Sequence, residues 1–207
     1  MDSEKFTALL VEAAAFHGHL CAGQVIGVRM AMLGLDRLGL HDPRGADRKK
    51  LIVYVEIDRC ATDAIMAVTG CQVGKRSMKV LDYGKMAASF LNLETGRAFR
   101  ISSLCDARDR AIARYPDLSE FEAQKAAYRE MADEDLFSIE EVSIVPPPED
   151  LPGIPLGDCI CDICGETILD KREVYINGRT LCRPCSAGET YYSRRQPEHE
   201  AANAGVR

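Results

Sequence analysis

Four cysteines close to the C-terminus follow the pattern C-x2-C-x17-C-x2-C, and this pattern restricts the fold more than any other feature of the chain. They are Cys161, Cys164, Cys182 and Cys185. Two cysteines separated by two residues wrap a tight knuckle around one metal ion, and tetrahedral Zn–S bonds of about 2.3 Å require a second knuckle from elsewhere in the chain. The spacing therefore predicts one zinc ion bound by four thiolates. Because four protein ligands leave no coordination position for a substrate, this zinc is structural.

The segment between the two knuckles predicts how they meet. Residues 173–181, EVYINGRTL, contain two short apolar stretches joined by Asn177-Gly178, a strong hairpin signal. The stretch after Cys185 can form a helical turn, as in treble-clef zinc fingers, and a plain zinc ribbon is the alternative. A unit this small needs its metal in order to fold. Cys159 is either a bystander or a competing ligand.

A proline-rich stretch divides the chain into two parts. Residues 146–157 contain five prolines and two glycines, which remove backbone donors and disfavour a helix or a central strand. We predict a core domain at residues 1–145, a linker at 146–157 and the zinc finger at 158–192. Residues 193–207 are polar and lack periodicity, which predicts a disordered tail.

Strand and helix signals in the core domain predict an α+β fold. Helices are predicted at residues 4–15, 24–38, 61–69, 106–115 and 119–133, and strands at 51–57, 80–93, 98–103 and 137–145. Tyr83-Gly84 and Thr95-Gly96 are turn signals within and after the second of these strand stretches. The strands gather in the middle of the chain, and helices precede and follow them without strict alternation. We therefore expect a mixed or antiparallel sheet with packed helices, followed by the small zinc-binding domain.

The composition limits the class of partner. Of the 207 residues 46% are hydrophobic, and the net charge is -6, which suits a packed core and disfavours non-specific binding to nucleic acid. Around the finger, six basic side chains are offset by six acidic ones. The bases are Lys171, Arg172, Arg179, Arg183, Arg194 and Arg195, and the acids are Asp158, Asp162, Glu166, Asp170, Glu173 and Glu189. A nucleic-acid-binding zinc-finger regulator is therefore the weakest alternative.

The N-terminus and the cysteines predict a cytoplasmic protein. The first twenty residues start with acidic positions and carry Glu12 inside their apolar stretch, which is typical of neither a signal peptide nor a spanning helix. The chain has nine cysteines, several of them in pairs spaced as in metal sites, and we expect thiols and thiolates rather than disulfides. We expect no membrane partner.

A second cluster of metal-binding side chains lies near the N-terminus. The stretch FHGHLCAGQ places His17, His19 and Cys21 within five residues. In an extended segment these alternating positions would share one side, and Gly18 and Gly23 would let the backbone approach a bound group closely. Imidazole and thiolate ligands suit zinc, copper, nickel or iron. The sequence therefore predicts a core site that holds a second transition metal.

Another cysteine lies where the strand at 51–57 leads into the next helix. Cys60 stands at the helix N-terminus, where a thiolate is favoured and can act as a ligand or a nucleophile. One hypothesis adds Cys60 to the core metal ligands. The other makes the protein a small thiol-dependent enzyme, in which Cys60 or Cys21 is the catalytic nucleophile and His17 or His19 is the base.

Charged side chains near these cysteines are candidates for binding a substrate. They are Asp63, Lys75 and Lys85. Such side chains are ordinarily solvated, and only their nearness to the cluster in the sequence selects them. In the thiol enzyme, Lys75 would orient an anionic substrate. Cys105 lacks such neighbours and is predicted to lie in the core.

Three stretches together resemble the formylmethanofuran dehydrogenase E-subunit family. They are FHGHLCAGQVIGVRM, EIDRCATDAIMAVTGCQVGK followed by DYGKMA, and the four-cysteine unit. The resemblance spans nearly the whole chain. It implies an α+β core that dimerises, a C-terminal treble-clef zinc finger, and a metal or active site at His17, His19, Cys21 and Cys60. Ala22 stands where the family favours proline, which changes the turn and removes no ligand.

The family takes its name from an association with the tungsten or molybdenum enzyme that fixes carbon dioxide onto methanofuran. This chain contains no C-x2-C-x2-C-x3-C run and no recognisable pterin-binding sequence. We therefore do not expect it to perform that reduction alone. Our first hypothesis is a dimeric metal-binding accessory protein. Its core site would hold or deliver a metal, and its finger would dock a larger redox enzyme complex.

Overall fold

The chain divides into two compact units on either side of the bond between Gly153 and Ile154. The computed structural model describes residues 2–193. The predicted disordered tail lies outside these described residues from position 194 onward. The boundary between the units falls inside the proline-rich stretch, whose first part packs on the core domain: Asp150 Oδ1 lies 3.6 Å from Lys79 Nζ.

The first unit contains helices and one sheet. Its α-helices are α1 (Ser3–His17), α2 (Ala22–Leu38), α3 (Cys60–Thr69), α4 (Ala107–Arg114), α5 (Glu120–Glu130) and α6 (Asp133–Leu136). Its strands are β1 (Leu51–Val55), β2 (Met78–Val80), β3 (Ala87–Asn92), β4 (Ala98–Ser103) and β5 (Phe137–Val142). Short 3-10 turns lie at Val73–Lys75 and Pro148–Asp150. Of the described helices, none has both the length and the hydropathy needed to cross a membrane.

The sheet has the strand order β2-β1-β3-β4-β5. The pairing of β1 with β2 is parallel, and the other pairings are antiparallel. Val53 lies opposite Phe90, which lies opposite Phe99, and this row belongs to the main hydrophobic core. Helix α2 packs on β3 and β4 and also contacts α1 and α3. The predicted α+β fold with a mixed sheet is confirmed.

Some local predictions differ from the structure. Of the stretch 80–93 only Ala87–Asn92 is a continuous strand, because it is preceded by the turn that Tyr83-Gly84 indicates, where the backbone N–H groups of Tyr83 and Lys85 both donate to the carbonyl of Glu56. Gly84 has a φ of 66°, which fits such a turn. Cys105, predicted to lie in the core, is exposed. It lies in the short connection between β4 and α4, where no packed element covers it.

The close packing of α2 on α3 depends on glycines. A Cβ at Gly27 would lie 2.5 Å from the carbonyl oxygen of Ala61 and 2.7 Å from Cβ of Ala64. Gly23, one turn earlier, faces Cys60 in the same way. Without side chains at these positions, the first turn of α2 can approach the first turn of α3. This approach brings the N-termini of both helices together.

The second unit consists of two hairpins and a short helix. The first hairpin pairs β6 (Asp158–Ile160) with β7 (Thr167–Leu169), and the second pairs β8 (Val174–Ile176) with β9 (Arg179–Leu181). Helix α7 spans Arg183–Ala187. The second hairpin turns at Asn177-Gly178, both with positive φ, as the sequence predicts. The buried apolar centre of the second unit consists of Cys161, Ile168 and Leu181.

Candidate metal centres

The four cysteines of the finger converge in the second unit. Cys161 and Cys164 lie in the loop between β6 and β7, Cys182 caps α7, and Cys185 lies inside α7. Their four sulfur atoms lie within 4.8 Å of one another. The sulfurs of Cys164 and Cys182 are 3.8 Å apart, and a tetrahedron with Zn–S bonds of about 2.3 Å has edges of about 3.8 Å. The donor set therefore fits one zinc ion.

Hydrogen bonds at the four cysteines shift the pKa values of their thiols. The N–H groups of Cys164 and then Cys182 donate to the sulfur of Cys161 and lower its pKa to about 6. The neighbouring thiol of Cys182 raises the pKa of Cys185 to about 12. Without a cation, the four sulfurs compete for charge, so they cannot all be thiolates at neutral pH. A bound zinc ion displaces the thiol protons that remain, so that all four sulfurs can be thiolates.

Cys159 stands outside the group of four. It lies in β6 opposite Ile168. Burial, and then the charge of Glu173, raise the pKa of its thiol. Tyr175 donates a hydrogen bond to the same Glu173 carboxylate over 3.1 Å. Cys159 packs against the buried centre that contains Cys161, but the group of four sulfur donors is complete without it.

In the core domain, His17, His19 and Cys21 also bring their donor atoms within 4.8 Å of one another. The expected extended segment is wrong for His17, which is the last residue of α1. Gly18 ends this helix with a φ of 95°, and Cys21 is the N-cap of α2. The turn between the two helices therefore gathers the three side chains. The rings of His17 and His19 have centroids 4.7 Å apart.

His17 is held by a carboxylate from α3. Its Nδ1 lies 2.7 Å from Oδ2 of Asp63. With the Nδ1 proton shared with this carboxylate, the lone pair of Nε2 is free to bind a metal, as in the carboxylate–histidine–metal arrangement. Nε2 is buried and has no hydrogen-bond partner among residues 2–193. A buried ring nitrogen beside another imidazole and a thiol is the fit expected for a metal ligand.

Cys60 lies beside this group as the first residue of α3. It is not one of the three residues whose donor atoms lie within 4.8 Å of one another, but it borders Cys21. A Cβ at Gly23 would lie 2.9 Å from Cβ of Cys60 and 3.7 Å from Sγ of Cys21, so both cysteines border this glycine. Burial, and then the Cys21 thiol, raise the pKa of Cys60. This direction is opposite to the one expected from the helix N-terminus, because burial outweighs the helix dipole.

Gln24 also belongs to this site, although the sequence pattern does not single it out. Its side chain is fully buried, and Nε2 donates to the carbonyl oxygen of Cys60 over 2.5 Å. This bond joins the first turns of α2 and α3. The available signal was its position three residues after the Cys21 N-cap, where glutamine commonly satisfies a helix end. Here the Gln24 side chain instead donates to the first residue of the neighbouring helix α3.

The predicted substrate-binding residues are dispersed. Asp63 holds His17. Lys75 follows the far end of α3, which has ten residues and is therefore about 15 Å long, while Cys60 begins that helix. Lys85 lies in the turn attached to Glu56, with Nζ 6.0 Å from the ring centroid of Tyr83. Of the three, the structure brings only Asp63 into contact with the cluster.

Glu56 forms an ion pair with Arg100. Its two carboxylate oxygens accept hydrogen bonds from Nε and Nη2 of Arg100 over 2.7 and 2.8 Å. The Arg100 guanidinium holds the pKa of Glu56 below its usual range. The pair fixes the end of β1 just before the turn to Cys60. Glu56 therefore supports the site from the sheet.

Family models match both parts of this chain. "FmdE, Molybdenum formylmethanofuran dehydrogenase operon" matches residues 16–143, and "Prokaryotic dksA/traR C4-type zinc finger" matches residues 154–191. The first match contains the whole His17, His19, Cys21 and Cys60 group, and the second contains the four finger cysteines.

Comparison with individual proteins gives a curated relative and a structural neighbour. A probable S-adenosyl-L-methionine-binding protein of Archaeoglobus fulgidus is 34% identical over 98 residues, or 47% of this chain. Those residues are 27% of that protein, so the chain spans about a quarter of its length. A tungsten formylmethanofuran dehydrogenase FmdE-like protein from Syntrophus aciditrophicus has a TM-score of 0.60 and 24% identity, over 90% of this chain and 95% of that one. This likeness shows the fold.

Proposed function

The chain belongs to the FmdE family, and we propose that it is a metal-binding accessory protein with two unlike metal centres. Zinc in the finger stabilises the second unit. A transition metal in the core domain is bound by His17, His19 and Cys21, with Cys60 as the fourth ligand. Two imidazoles and two thiolates suit zinc, copper, nickel or iron.

The observation that carries the core site is the buried Nε2 of His17. A buried polar atom without a partner costs free energy, and such atoms in folded proteins call for a physical reason. Here Asp63 fixes the opposite ring nitrogen, and the donor atoms of His19 and Cys21 lie within 4.8 Å. A metal ion at this point would satisfy all three donors at once. A hydrogen bond within the protein would satisfy only one of them.

The alternatives have less support. For a thiol-dependent enzyme with Cys60 as nucleophile and His17 as base, the thiolate should be favoured, yet burial raises the pKa of Cys60. For a nucleic-acid-binding regulator, a basic surface is needed, while the finger region has as many acids as bases. Arg194 and Arg195, two of those bases, lie outside the described residues.

We further propose that the finger is a treble clef. Its support is the order of elements: a knuckle hairpin, a second hairpin, and helix α7 carrying the last ligand. The accessory role also includes the expected homodimer and docking to a larger redox enzyme complex, in the cytoplasm where thiolate ligands stay reduced. Large exposed apolar side chains on the core domain, among them Val11, Phe16 and Tyr83, suit protein contacts. Light scattering of the purified protein measures its oligomeric state.

Metal analysis tests the two-centre proposal. The wild-type chain should contain two metal ions, and the double variant His17→Ala, Cys60→Ser should retain only the zinc of the finger. His41→Ala removes a histidine outside the cluster and should keep both ions, which makes it the matched control. One metal ion per chain that survives the double substitution would contradict the core centre.

A further inference from the structure

Cys21 and Cys60 come from different helices, yet their thiols are neighbours. Cys21 caps α2 and Cys60 begins α3, and a Cβ built on Gly23 would lie 3.7 Å from Sγ of Cys21 and 2.9 Å from Cβ of Cys60. Both are partly accessible to solvent. The Gln24 hydrogen bond to the Cys60 carbonyl and the absence of a side chain at Gly23 keep the two helix ends together. The contacts that place the two cysteines side by side are therefore all made by the protein itself.

We propose that Cys21 and Cys60 are a redox-active dithiol, which low-molecular-weight disulfides such as oxidised glutathione convert to an intramolecular disulfide in the metal-free protein. One cysteine thiolate attacks the disulfide, whose S–S bond breaks and releases one glutathione thiol. The other cysteine loses its proton and attacks the protein sulfur of the mixed disulfide, releasing the second glutathione. The two protein thiols are oxidised, and the external disulfide is reduced to two thiols.

The pairing is specific in this fold. Cys71 is buried with 3% of its surface exposed and lies just beyond the C-terminal end of α3, whereas Cys60 begins that helix. Cys105 is exposed in the connection between β4 and α4. The four finger thiols are engaged by zinc and are protected from oxidation while it is bound. Cys21 and Cys60 are thus the accessible pair in the core domain.

The dithiol has a consequence for the core metal, and this step rests on the proposed function. A disulfide between Cys21 and Cys60 would remove two of the four proposed ligands and leave the two histidines. Oxidation should therefore release the core metal, and a bound metal should block oxidation. The finger, whose ligands are separate, should keep its zinc under both conditions.

Peptide mapping of the full-length protein tests the dithiol. The core metal is removed with EDTA under conditions that leave one zinc per chain, and the protein is incubated with oxidised glutathione. Free thiols are then alkylated before trypsin digestion. The tryptic peptide 6–29 contains Cys21, and peptide 60–75 contains Cys60 and Cys71. A cross-link between these peptides that dithiothreitol reverses is the expected result. Cys60→Ser should abolish it, while Cys71→Ala should preserve it.

The outcomes separate this proposal from the proposed function. No cross-link in metal-free protein, glutathione adducts only, or a cross-link lost in Cys71→Ala would each overturn the dithiol. Reloading the core with zinc should slow cross-linking at least about tenfold, because metal-bound thiolates are masked. A cross-link in a chain that binds only the finger zinc supports the dithiol and contradicts the core metal. Circular dichroism checks that Cys60→Ser folds, and Cys21→Ser replaces it if it does not.

Discussion

The two centres contain related ligands but are built in opposite ways. In the finger, all four ligands come from one stretch of chain, Cys161–Cys185, and the apolar centre of that unit includes a ligand, Cys161. In the core domain, the candidate ligands stand at the ends of α1, α2 and α3, which pack on a large hydrophobic core of their own. The finger has little apolar core apart from its metal site, whereas the core site lies on a domain with a large hydrophobic core.

The two arrangements have different consequences for a bound metal ion. A unit with a minimal apolar centre loses its fold together with its metal, so the metal must remain bound. A site on a preformed scaffold can lose its metal and keep its geometry. Under the proposed function, a metal in the core site could therefore be exchanged, delivered or released, whereas the finger could not lose its zinc without unfolding.

Removal of the finger zinc should have the largest effect on the molecule. Cys161→Ser should abolish zinc binding by the second unit and unfold it, because structural zinc sites contribute about 10–16 kcal/mol of apparent binding free energy. The core domain should remain folded, so limited proteolysis should leave a fragment that ends near Gly153. The matched control is Cys159→Ser, which removes a thiol outside the cluster and should keep the zinc. Loss of both units in Cys161→Ser would break the contrast.

The support of His17 by Asp63 gives the next largest effect. Asp63→Asn should weaken binding of the core metal by about 10–100-fold, since a carboxylate that orients a histidine ligand also raises its basicity. The finger zinc should be unaffected. Competition with a chromophoric chelator measures the affinity, and Asp58→Asn, at an exposed position just before α3, is the control. An unchanged affinity in Asp63→Asn would mean that the buried Nε2 of His17 serves another purpose.

The packing of α2 on α3 determines whether the core domain can keep the geometry of the site without a metal. Gly27→Ala would place a methyl group 2.5 Å from the carbonyl of Ala61, and overpacking of this kind costs about 1–3 kcal/mol. Urea unfolding followed by circular dichroism measures the loss. Gly74→Ala, with no atom within 4 Å of the added methyl, should change stability by less than about 0.5 kcal/mol. Equal stability of the two variants would show that the helices can move apart.

The sequence alone could predict the finger because its information is local. The spacing of the cysteines selects the four residues that converge, and Asn177-Gly178 places the hairpin turn where the structure has it. The same holds for His17, His19 and Cys21, which are neighbours in the sequence. In each case the chain needs only one or two turns to bring the side chains together.

The remaining parts of the core site depend on long-range packing. Asp63 is 46 residues from His17, and the Gln24 contact with Cys60 exists only because glycines let α2 approach α3. Tyr83-Gly84 indicates the turn before β3, but its hydrogen bonds to the carbonyl of Glu56 are again contacts between distant residues. A sequence pattern does not contain these contacts, and so the roles of Asp63 and Gln24 required the structure.

Thiol reactivity gives the smallest and most discriminating effect. In metal-free protein, Cys60 should react with iodoacetamide at neutral pH more slowly than exposed Cys105, because burial and the Cys21 thiol raise the pKa of Cys60 and reduce its thiolate fraction. Its rate should continue to rise with pH above the range in which an unperturbed thiol reaches its plateau. Mass spectrometry of tryptic peptides 60–75 and 101–108 measures the two rates, with Cys71→Ala to isolate the Cys60 signal.

The opposite order of alkylation rates would favour an enzyme over a metal-binding protein. If Cys60 reacted faster than Cys105 near neutral pH, the site would contain an activated thiolate, and the thiol-dependent enzyme would become the better description. A slow Cys60 that becomes fully protected when metal is added is the behaviour of a ligand. Because the finger cysteines should stay protected in both experiments, the difference between a closed and an exchangeable centre can be read from one set of peptides.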